Sequence, residues 1–335
     1  MKTLISTVTL SFLFLSACAF TPAGPEETFQ AFLETIEARY GGMDARNINW
    51  PELRNTYQPL VNEQTGDDEL FNIMCELLTA FDDGHISLMA PEQPVCKSNR
   101  YYREKIGFEL FNLELIRNDY LAGVWVSNDW EAHTLGRLND GAAYLHLAAT
   151  SDNLAVLADV RPMAEESNGL LLDMRHNGGG QFTRAYNALA DWRSDTVPVH
   201  KVRTRIGPEL DQFSEWFTWE LEGKGADIDF PMVVLIDRFT ISAGERMLLA
   251  LETFNDVIFV GDYSNGAFAT TTGAQLPNGW YFVLPSQEIR TMDGNNPEGV
   301  GFEPDVFIEN DPTLLESGVD QVLEEGLRLL GTMRQ

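Results

Sequence analysis

Two segments that lie far apart in the chain carry residues suited to acyl transfer. Three consecutive glycines, Gly178–Gly180, follow the run Leu170–Met174, which has the pattern of a buried strand. Ser242 follows a second run of that kind, Met232–Asp237, and precedes an apolar helical pattern. Backbone amides of a glycine loop can bind an oxyanion, and a hydroxyl at a helix N-terminus lies in a positive local field. Together the segments indicate a hydrolytic site with Ser242 as its nucleophile.

Both segments also have a structural explanation that the local sequence leaves open. Ser242 and Glu245 have the S-x-x-E spacing of a helix capping box, and the glycines suit a strand-to-helix turn that needs positive φ. We expect Glu245 to be a cap rather than a catalyst. We expect Arg175 and Asn177 to brace the glycine loop. The loop is not a nucleotide loop, because neither G-x-x-x-x-G-K-S/T nor G-x-G-x-x-G occurs.

A serine nucleophile needs a base, and the chain has five histidines. No lysine follows Ser242, which argues against a serine–lysine dyad. His85 follows Asp82-Asp83-Gly84 at a predicted helix end, where a turn can project a side chain into a cleft. The other four histidines are weaker candidates by their context: His133, His146, His176 and His200. Neither H-E-x-x-H nor a Cys/His ligand spacing occurs, so we expect no metal and no organic cofactor.

An acid is needed to orient that histidine, and one candidate stands out by its surroundings. Glu298 lies between a proline and a glycine in the glycine-rich loop 293–301, just before Phe302–Val306. An acid in such a backbone environment can be held in one position. The residues by themselves also allow an ordinary exposed loop acid.

The order of these blocks resembles that of one family. Gly84-His85 is followed by D-x-R-x-N-G-G-G, by S-A-x-E and by G-x-x-P-E-G-V-G-F-E-P-D-V. Over roughly residues 70–310 this order is similar to the tail-specific and tricorn-core serine peptidases, which share a ClpP/crotonase-like fold. The lysine-using branch typically carries a lysine in the stretch that is Asp262–Gly266 here, so its absence points to the tricorn-like branch.

The resemblance implies a role for each matching residue. It makes His85 the base, Ser242 the nucleophile and Glu298 the acid that orients the histidine. The oxyanion donors that it implies are backbone amides: Ala243 and a glycine, with Gly179 preferred to Gly180.

The chain departs from the family pattern at two points. Tricorn-type sites place a serine just before the histidine, where this chain has Gly84. A fourth polar group is therefore missing or is supplied by Ser87 or another residue. The stretch Ile106–Trp130 is also too short for the PDZ domain that many members insert, which leaves recognition of a substrate's C-terminal tail without support.

The pattern of elements predicts an α/β fold, a ClpP/crotonase-like βα core with a small N-terminal helical subdomain. Asn278-Gly279 predicts a two-residue hairpin turn. Residues 195–229, with Trp216, Phe217 and Trp219, have no clear assignment. The predicted parts are a signal peptide 1–18, a tether 19–27, a helical subdomain with the His85 loop 28–100, a small β segment 101–140, the core 141–312 and a C-terminal helix 313–335.

The N-terminus has the features of an export signal. Lys2 and the apolar run Leu4–Leu15 precede Ala17-Cys18, which resembles a bacterial lipobox. We therefore expect lipidation of Cys18 and a position in the bacterial cell envelope, anchored by lipid and facing the periplasm. Cleavage at a small-residue site, which would leave a soluble product, is the alternative.

Charge and cysteines narrow the possibilities further. The net charge of −28 excludes nucleic acid as an expected partner and leaves no basic patch for anionic lipid. In an oxidising compartment we expect Cys75 and Cys96 to form a disulfide, worth roughly 3 kcal/mol for a loop of about 20 residues. A core Cys75 with a free Cys96 is the alternative.

These observations predict an exported serine endopeptidase that acts on peptides or proteins. The oligomeric state is not predicted. The main alternative is a non-catalytic ligand-binding protein on the same scaffold, in which the tryptophan cluster lines an apolar pocket. An esterase is a third possibility, although the G-x-S-x-G elbow is absent.

Overall fold

The computed structural model describes residues 23–99, 108–127, 133–150 and 154–334. The predicted signal peptide, including Cys18, lies outside these residues. The fold is mixed α/β with a helical N-terminal part, as expected. None of the helices in the described part is long and apolar enough to cross a membrane.

The N-terminal part consists of three helices and two short strands. These are α1 (Pro25–Arg39), α2 (Trp50–Tyr57), α3 (Asp67–Thr79), β1 (Ser87–Met89) and β2 (Cys96–Lys97). Acidic side chains occupy the first turn of each helix, where the helix dipole favours negative charge. α1 begins inside the segment predicted as a tether, because Pro25 suits a first helical turn and two glutamates follow it.

The apolar faces of these helices form one core with the small strands. Phe32, Leu33, Met74 and Leu77 are fully buried in it. Cys75 on α3 and Cys96 on β2 form a disulfide with a Cα–Cα distance of 5.9 Å. The bridge joins the helix before the His85 loop to the strand after it.

Residues 108–120 differ from the sequence prediction, which placed strands there. They form a 3₁₀ turn (Phe108–Leu110), α4 (Leu113–Leu115) and a π-helical turn (Ile116–Tyr120). The Asn112 side chain accepts a hydrogen bond from the Leu115 N–H (3.1 Å) and so caps this helical segment. A short apolar run has no clear period, so its pattern does not distinguish a strand from a helical segment.

The main sheet holds seven strands. They are β3 (Leu121–Ser127), β4 (Thr134–Leu138), β5 (Ala143–His146), β6 (Leu170–Asp173), β9 (Met232–Ile236), β10 (Val257–Gly261) and β14 (Val306–Phe307). Their order is β14-β10-β9-β6-β5-β4-β3. The strands from β14 to β5 pair in parallel, and β4 and β3 extend the sheet antiparallel. The carboxyl ends of β6 and β9 therefore meet at one edge, where the glycine loop and Ser242 follow.

Helices cover both faces of this sheet. One face packs against α5 (Ala155–Ser167), α6 (Phe182–Leu189) and α7 (Ala243–Leu251). After α8 (Pro312–Glu316), α9 (Gln321–Met333) covers the other. Burial on both faces explains why the parallel strands are continuous apolar runs.

The predicted C-terminal helix is divided into α8 and α9. Gly318 has φ 96°, a left-handed conformation that ends α8. The Asp320 side chain then accepts from the Leu323 N–H (3.0 Å) and starts α9.

Two smaller sheets complete the structure. One contains β11 (Thr271–Gln275) and β12 (Tyr281–Pro285) and has the order β11-β12-β1-β2, so it joins the N-terminal part to the core. The other contains β7 (Val197–Thr204), β8 (Phe217–Leu221) and β13 (Gln287–Thr291) in the order β13-β7-β8. Strands β7 and β8 occupy part of the segment that the sequence left unassigned.

The hairpin at β11 and β12 forms with a turn that differs from the expected one. The Gly279 N–H donates to the Leu276 carbonyl (2.8 Å), which places Pro277 and Asn278 at the centre of the turn. Gly279 follows at φ 92°. This combination is typical of a turn followed by a glycine bulge rather than of a two-residue loop.

Candidate active site

Ser242 lies at the junction between β9 and α7 in a strained backbone conformation. Its φ and ψ are 62° and −119°, which a non-glycine residue rarely adopts. Such a conformation costs about 1–3 kcal/mol and persists only where the surroundings enforce it. The Ser242 N–H donates to Glu245 Oε2 (2.9 Å) and to the Ala267 carbonyl (3.1 Å). These bonds hold the serine in place at the N-terminus of α7.

Glu245 is a structural acid in this arrangement. Its buried carboxylate also accepts from Ser264 Oγ (2.6 Å) and from the amides of Gly266 (2.6 Å) and Ala267 (2.9 Å). Burial raises the pKa of Glu245 to about 7, although these hydrogen bonds oppose the rise. With its acceptor oxygens bonded to the loop that follows β10, Glu245 anchors that loop beside Ser242.

The glycine loop is braced by Asn177 and contacts Ser242 directly. Asn177 Nδ2 donates to the Leu147 carbonyl (2.5 Å), and Asn177 Oδ1 accepts from the Gly179 N–H (2.9 Å). Gly179 has φ 78°, and a Cβ there would lie 2.8 Å from the Ser242 Cβ. Only glycine therefore lets the loop approach the serine this closely.

Arg175, at the start of the same loop, belongs to a buried ion-pair network that supports the loop. Arg175 Nη2 lies 2.6 Å from Asp173 Oδ2, and Nη1 lies 2.9 Å from Asp320 Oδ1. All three side chains are almost completely buried. The network ties the end of β6 to the N-terminus of α9, as expected for a residue that supports the loop.

Two backbone amides near Ser242 are suited to bind an oxyanion. Among the described residues we find no acceptor for the amides of Gly180 and Ala243, and both residues line the same cavity as Ser242. The Gly179 amide is already donated to Asn177 Oδ1. Of the two glycines considered, Gly180 is therefore the better placed donor, because an amide with an internal acceptor is not free for a substrate.

Replacing Gly179 by alanine should displace Ser242. The new Cβ would lie 2.8 Å from both the Ile241 carbonyl oxygen and the Ser242 Cβ, and the backbone has positive φ. A displacement of about 1 Å can cost about 100-fold in rate. We expect kcat/KM on a peptide substrate to fall by about that factor.

Gly178→Ala is the matched control. A Cβ at Gly178 would meet nothing closer than the Ala148 carbonyl oxygen at 4.0 Å. Equal activity of the two variants, with equal thermal stability, would contradict the proposed contact between Gly179 and Ser242.

His85 lies in a loop that packs against the Ser242 segment. A Cβ on the preceding Gly84 would lie 2.9 Å from both Ile241 Cδ1 and Asn265 Oδ1. A serine at this position would therefore require the Ile241 and Asn265 side chains to move. Ile241 is the residue before Ser242, so the loop and the serine segment are in direct contact.

The environment of His85 favours a neutral imidazole. Burial lowers the pKa of His85 to about 4; the Asp83 charge opposes this, and the charges of Arg246, Arg46 and Lys97 add to it. The His85 N–H of the backbone donates to Asp83 Oδ1 (2.9 Å). The ring Nδ1 is buried and has no hydrogen-bond partner among the described residues. A neutral ring can accept a proton, and its second nitrogen is free for an orienting partner.

Glu298 is buried and contacts the loop beyond Ser242. Its Oε2 accepts from the Phe268 N–H (3.0 Å), and its Oε1 lies 3.5 Å from Arg46 Nη2. Burial raises the pKa of Glu298 to about 8; the charges of Asp83 and Glu245 add to this and that of Arg46 opposes it. The exposed loop acid that the residues alone allowed is thus ruled out by the 3% exposure of Glu298.

The structure brings the three candidate catalytic residues into neighbouring segments without linking their side chains. Among the described residues there is no hydrogen bond between His85 and Ser242, and none between His85 and Glu298. In this arrangement the Glu298 carboxylate is held by Phe268 and Arg46 instead. The three residues therefore lie in neighbouring loops, and this structure does not join their side chains into a triad.

Sequence reasoning missed Arg46, which connects these segments. Arg46 Nη1 donates to the Asp82 carbonyl (2.6 Å) and Nη2 to the Gly266 carbonyl (2.5 Å). Its guanidinium also pairs with Asp83 (3.2 Å) and Glu298. Nothing in the local sequence marks this arginine, since its partners lie in three loops that only the fold brings together.

A cavity of about 290 Å³ opens beside Ser242, and we refer to it as the Ser242 cavity. It is lined by Gly180, Gln181, Phe182, Thr183, Ser242, Ala243, Arg246, Phe268, Ala269, Thr270 and Thr271. Its volume suits one amino-acid side chain or a small ligand group. Within the described ranges, no group of His, Cys, Asp and Glu side chains is arranged to hold a metal ion.

Comparisons with known proteins agree with the fold described above. The chain is 29% identical over 197 residues to a C-terminal processing peptidase, chloroplastic, of Tetradesmus obliquus, a match that covers 56% of this chain and 40% of that protein. The chain spans about two fifths or less of the curated relatives that it matches.

Solved structures show the same fold. A crystal structure of a candidate peptidase from Parabacteroides merdae has a TM-score of 0.83 at 20% identity and covers 92% of this chain and 97% of that one. The crystal structure of the tricorn protease has a TM-score of 0.56 at 13% identity and covers 93% of this chain and 37% of that one.

Two family models match the chain itself. The model of the tricorn protease C1 domain matches residues 22–79. The model of peptidase family S41 matches residues 141–308, which hold the glycine loop, Ser242 and Glu298 and make up half of the chain. The protein therefore belongs to peptidase family S41.

Proposed function

We propose that the protein is an exported, lipid-anchored serine endopeptidase that faces the periplasm and cleaves peptides or proteins. The observation that carries the enzymatic part is the position of Ser242, strained at the N-terminus of α7 in a cavity that also contains the unbonded amides of Gly180 and Ala243. A strained residue at a helix N-terminus is a recurrent setting for a nucleophile. Export and lipidation rest on residues 1–18 of the sequence.

The mechanism assigns one step to each group. His85 accepts the Ser242 proton as Ser242 Oγ attacks the peptide carbonyl, and the amides of Gly180 and Ala243 stabilise the oxyanion. His85 then protonates the leaving amine. A water molecule, deprotonated by His85, hydrolyses the acyl-enzyme. Glu298 orients the imidazole and stabilises its charged form. For this role the His85 Nδ1–H, which has no partner among the described residues, must donate a hydrogen bond to the Glu298 carboxylate.

A neighbouring cleft supports an extended substrate. It has a volume of about 750 Å³ and is lined in part by Gly84, Gly178 and Ile241. Exposed Phe108 contributes to its wall. A cleft of this size, lined by residues adjacent in sequence to His85 and Ser242, suits a peptide better than a small ester.

The direct test is labelling with a fluorophosphonate. We expect a single adduct on the mature protein, located at Ser242 by mass spectrometry, together with cleavage of casein or of a peptide library. An unlabelled protein that hydrolyses no peptide would contradict the proposal. Comparing peptide turnover with that of p-nitrophenyl esters tests the esterase alternative.

The ligand-binding alternative receives less support. Trp216 and Phe217 are 41% and 57% exposed, and Trp219 packs edge-to-face on Phe182 at 4.9 Å. The cleft beside Phe217 and Trp219 also contains charged side chains, including Glu220 and Lys224. The cluster therefore does not line the apolar pocket that this alternative requires.

The pH dependence of kcat/KM should show the titration of His85 and of Glu298 as two separate steps. Because burial lowers the pKa of His85 to about 4, the imidazole stays neutral, and active as a base, down to about that pH. A second rise is expected near pH 8, where Glu298 ionises and can orient the imidazole. The measurement is a pH profile of kcat/KM with a substrate that does not titrate in this range.

Glu298→Gln is the control for that profile. It should remove the upper step and leave the lower plateau at about the wild-type rate, because Glu298 itself is protonated below about pH 8. An acid limb near the ordinary histidine pKa of about 6.5 would contradict the buried position of His85.

A further inference from the structure

Arg246 lies one helical turn after Ser242 and lines the same cavity. The Arg246 N–H donates to the Ser242 carbonyl (3.1 Å), so the two residues share one face of the start of α7. Arg246 is 1% exposed. Of the residues that line the Ser242 cavity, Arg246 alone carries a charge. A single buried positive charge thus lies beside the candidate nucleophile.

The Arg246 guanidinium donates its hydrogen bonds to neutral groups only, and the charge of Glu298 acts on it from beyond ion-pair distance. Nε donates to the Phe268 carbonyl (2.8 Å) and Nη2 to Gln287 Oε1 (2.7 Å), and the group stacks on the Phe182 ring at 4.2 Å. No carboxylate of the described residues lies within ion-pair distance, and Nη1 is buried without a hydrogen-bond partner.

A buried cation without an anion is costly, and buried charges in proteins are normally paired. This chain has 51 acidic and 23 basic residues, so a shortage of carboxylates does not explain the unpaired arginine. Burial lowers the pKa of Arg246 to about 10, which still leaves the group charged at neutral pH. The charge therefore lies at the wall of the cavity, and the buried Nη1 keeps an unused donor that a ligand reaches only if the neighbouring side chains move.

We propose that the Ser242 cavity is a subsite for a substrate carboxylate and that Arg246 is the specificity-determining residue. The carboxylate belongs either to an acidic side chain next to the scissile bond or to the C-terminus of the substrate. The proposal rests on the proposed function, since it deepens the specificity of that same site. It implies that cleavage occurs beside an acidic residue or close to a chain end.

Binding to the Ser242→Ala variant tests the proposal without turnover. Fluorescent peptides of one sequence carry Glu, Gln or Leu at each position in turn, with either a free or an amidated C-terminus. A charge-assisted hydrogen bond in a buried site predicts about 10- to 100-fold tighter binding of the peptide with the carboxylate. A Glu/Gln difference at one internal position identifies the side chain as its source, whereas an acid/amide difference identifies the C-terminus. Equal affinities in all arms would overturn the proposal.

A second binding experiment substitutes Arg246 in the Ser242→Ala variant. Arg246→Gln should reduce the affinity ratio of carboxylate to neutral peptide to about one, and Arg246→Lys should retain part of it. Arg184→Gln is the matched control, because it removes one positive charge from the exposed surface of the neighbouring α6 and should leave the ratio unchanged. An unchanged ratio in Arg246→Gln overturns the proposal. If that variant does not fold, the comparison of peptides on Ser242→Ala decides alone.

The two proposals fail differently. Loss of the peptidase assignment would appear as absent fluorophosphonate labelling in the wild-type protein. Loss of the specificity assignment would appear as labelling and cleavage with no preference for a carboxylate. In that case Arg246 would serve only to hold Phe268 and Gln287 against α7.

Discussion

Ser242→Ala should lower kcat by up to about 10⁶ on any peptide that the wild-type protein cleaves. The alcohol is the only group that this substitution removes, and the candidate oxyanion amides of Gly180 and Ala243 remain. The variant should therefore keep a small rate above the uncatalysed one and bind substrate as before. The measurement is single-turnover kinetics with one fluorogenic peptide. Wild-type turnover by the variant would show that residue 242 is not the nucleophile.

A companion experiment tests whether His85 and Ser242 act as one unit. His85→Ala should cost nearly as much as Ser242→Ala, and the double variant little more than either alone, because residues of a catalytic unit are strongly non-additive. Additive losses would indicate that His85 supports the fold of its loop rather than deprotonating Ser242. Ser317→Ala, at the exposed end of α8, controls for the purified protein itself and should retain wild-type kcat.

Arg46→Met should destabilise the protein by about 3–5 kcal/mol and abolish most activity. Removal of one partner from a buried ion pair leaves an uncompensated charge, and here two carboxylates, Asp83 and Glu298, lose the same cation. The variant also loses the bonds from Arg46 to the Asp82 and Gly266 carbonyls, which connect the His85 loop to the loop beyond Ser242. The free energy of unfolding is measured by urea denaturation.

The pH dependence of that loss separates charge from packing. With Arg46 absent, the pKa of Glu298 should rise further, since the Arg46 charge now opposes the rise caused by burial. A folded-state pKa raised above the unfolded value contributes stability at low pH that is lost as pH increases. The variant should therefore be less destabilised at pH 5 than at pH 8. Arg39→Met is the control, because Arg39 also lies in the N-terminal part but makes only an exposed hydrogen bond, to the Gly273 carbonyl. It should change the free energy of unfolding by less than about 0.5 kcal/mol at either pH. Equal effects of the two substitutions would contradict the role assigned to Arg46.

Much of the fold could be predicted because its strands and helices carry strong periodic signals. The runs that became β6 and β9 are buried on both faces, and α7 follows a serine with a glutamate three residues on. Segments without such a signal were mispredicted. Residues 108–120 depend on an asparagine cap, and the division between α8 and α9 depends on Gly318 and Asp320. These are single-residue effects that a hydrophobic pattern does not contain.

The candidate site was predictable only as far as its parts are local. Ser242, the glycine loop and Glu298 lie in short motifs with a recognisable order. Arg46 and Arg246 lie outside any motif, because their importance comes from partners that are distant in sequence: Gly266 and Glu298 for Arg46, and Phe268 and Gln287 for Arg246. The periodic pattern of apolar residues in the sequence contains no information about such contacts.

The sequence by itself determined the class of fold, the residue types available for acyl transfer and the order in which they occur, because these depend on local propensity and on motif chemistry. Only the tertiary structure decided that the Gly179 amide is bonded to Asn177, that Glu298 faces Arg46, and that Arg246 is buried with no acid of the described residues within ion-pair distance. Hydrogen bonds and desolvation act over a few ångströms in space, and residues that meet at that distance are separated here by up to about 250 positions along the chain.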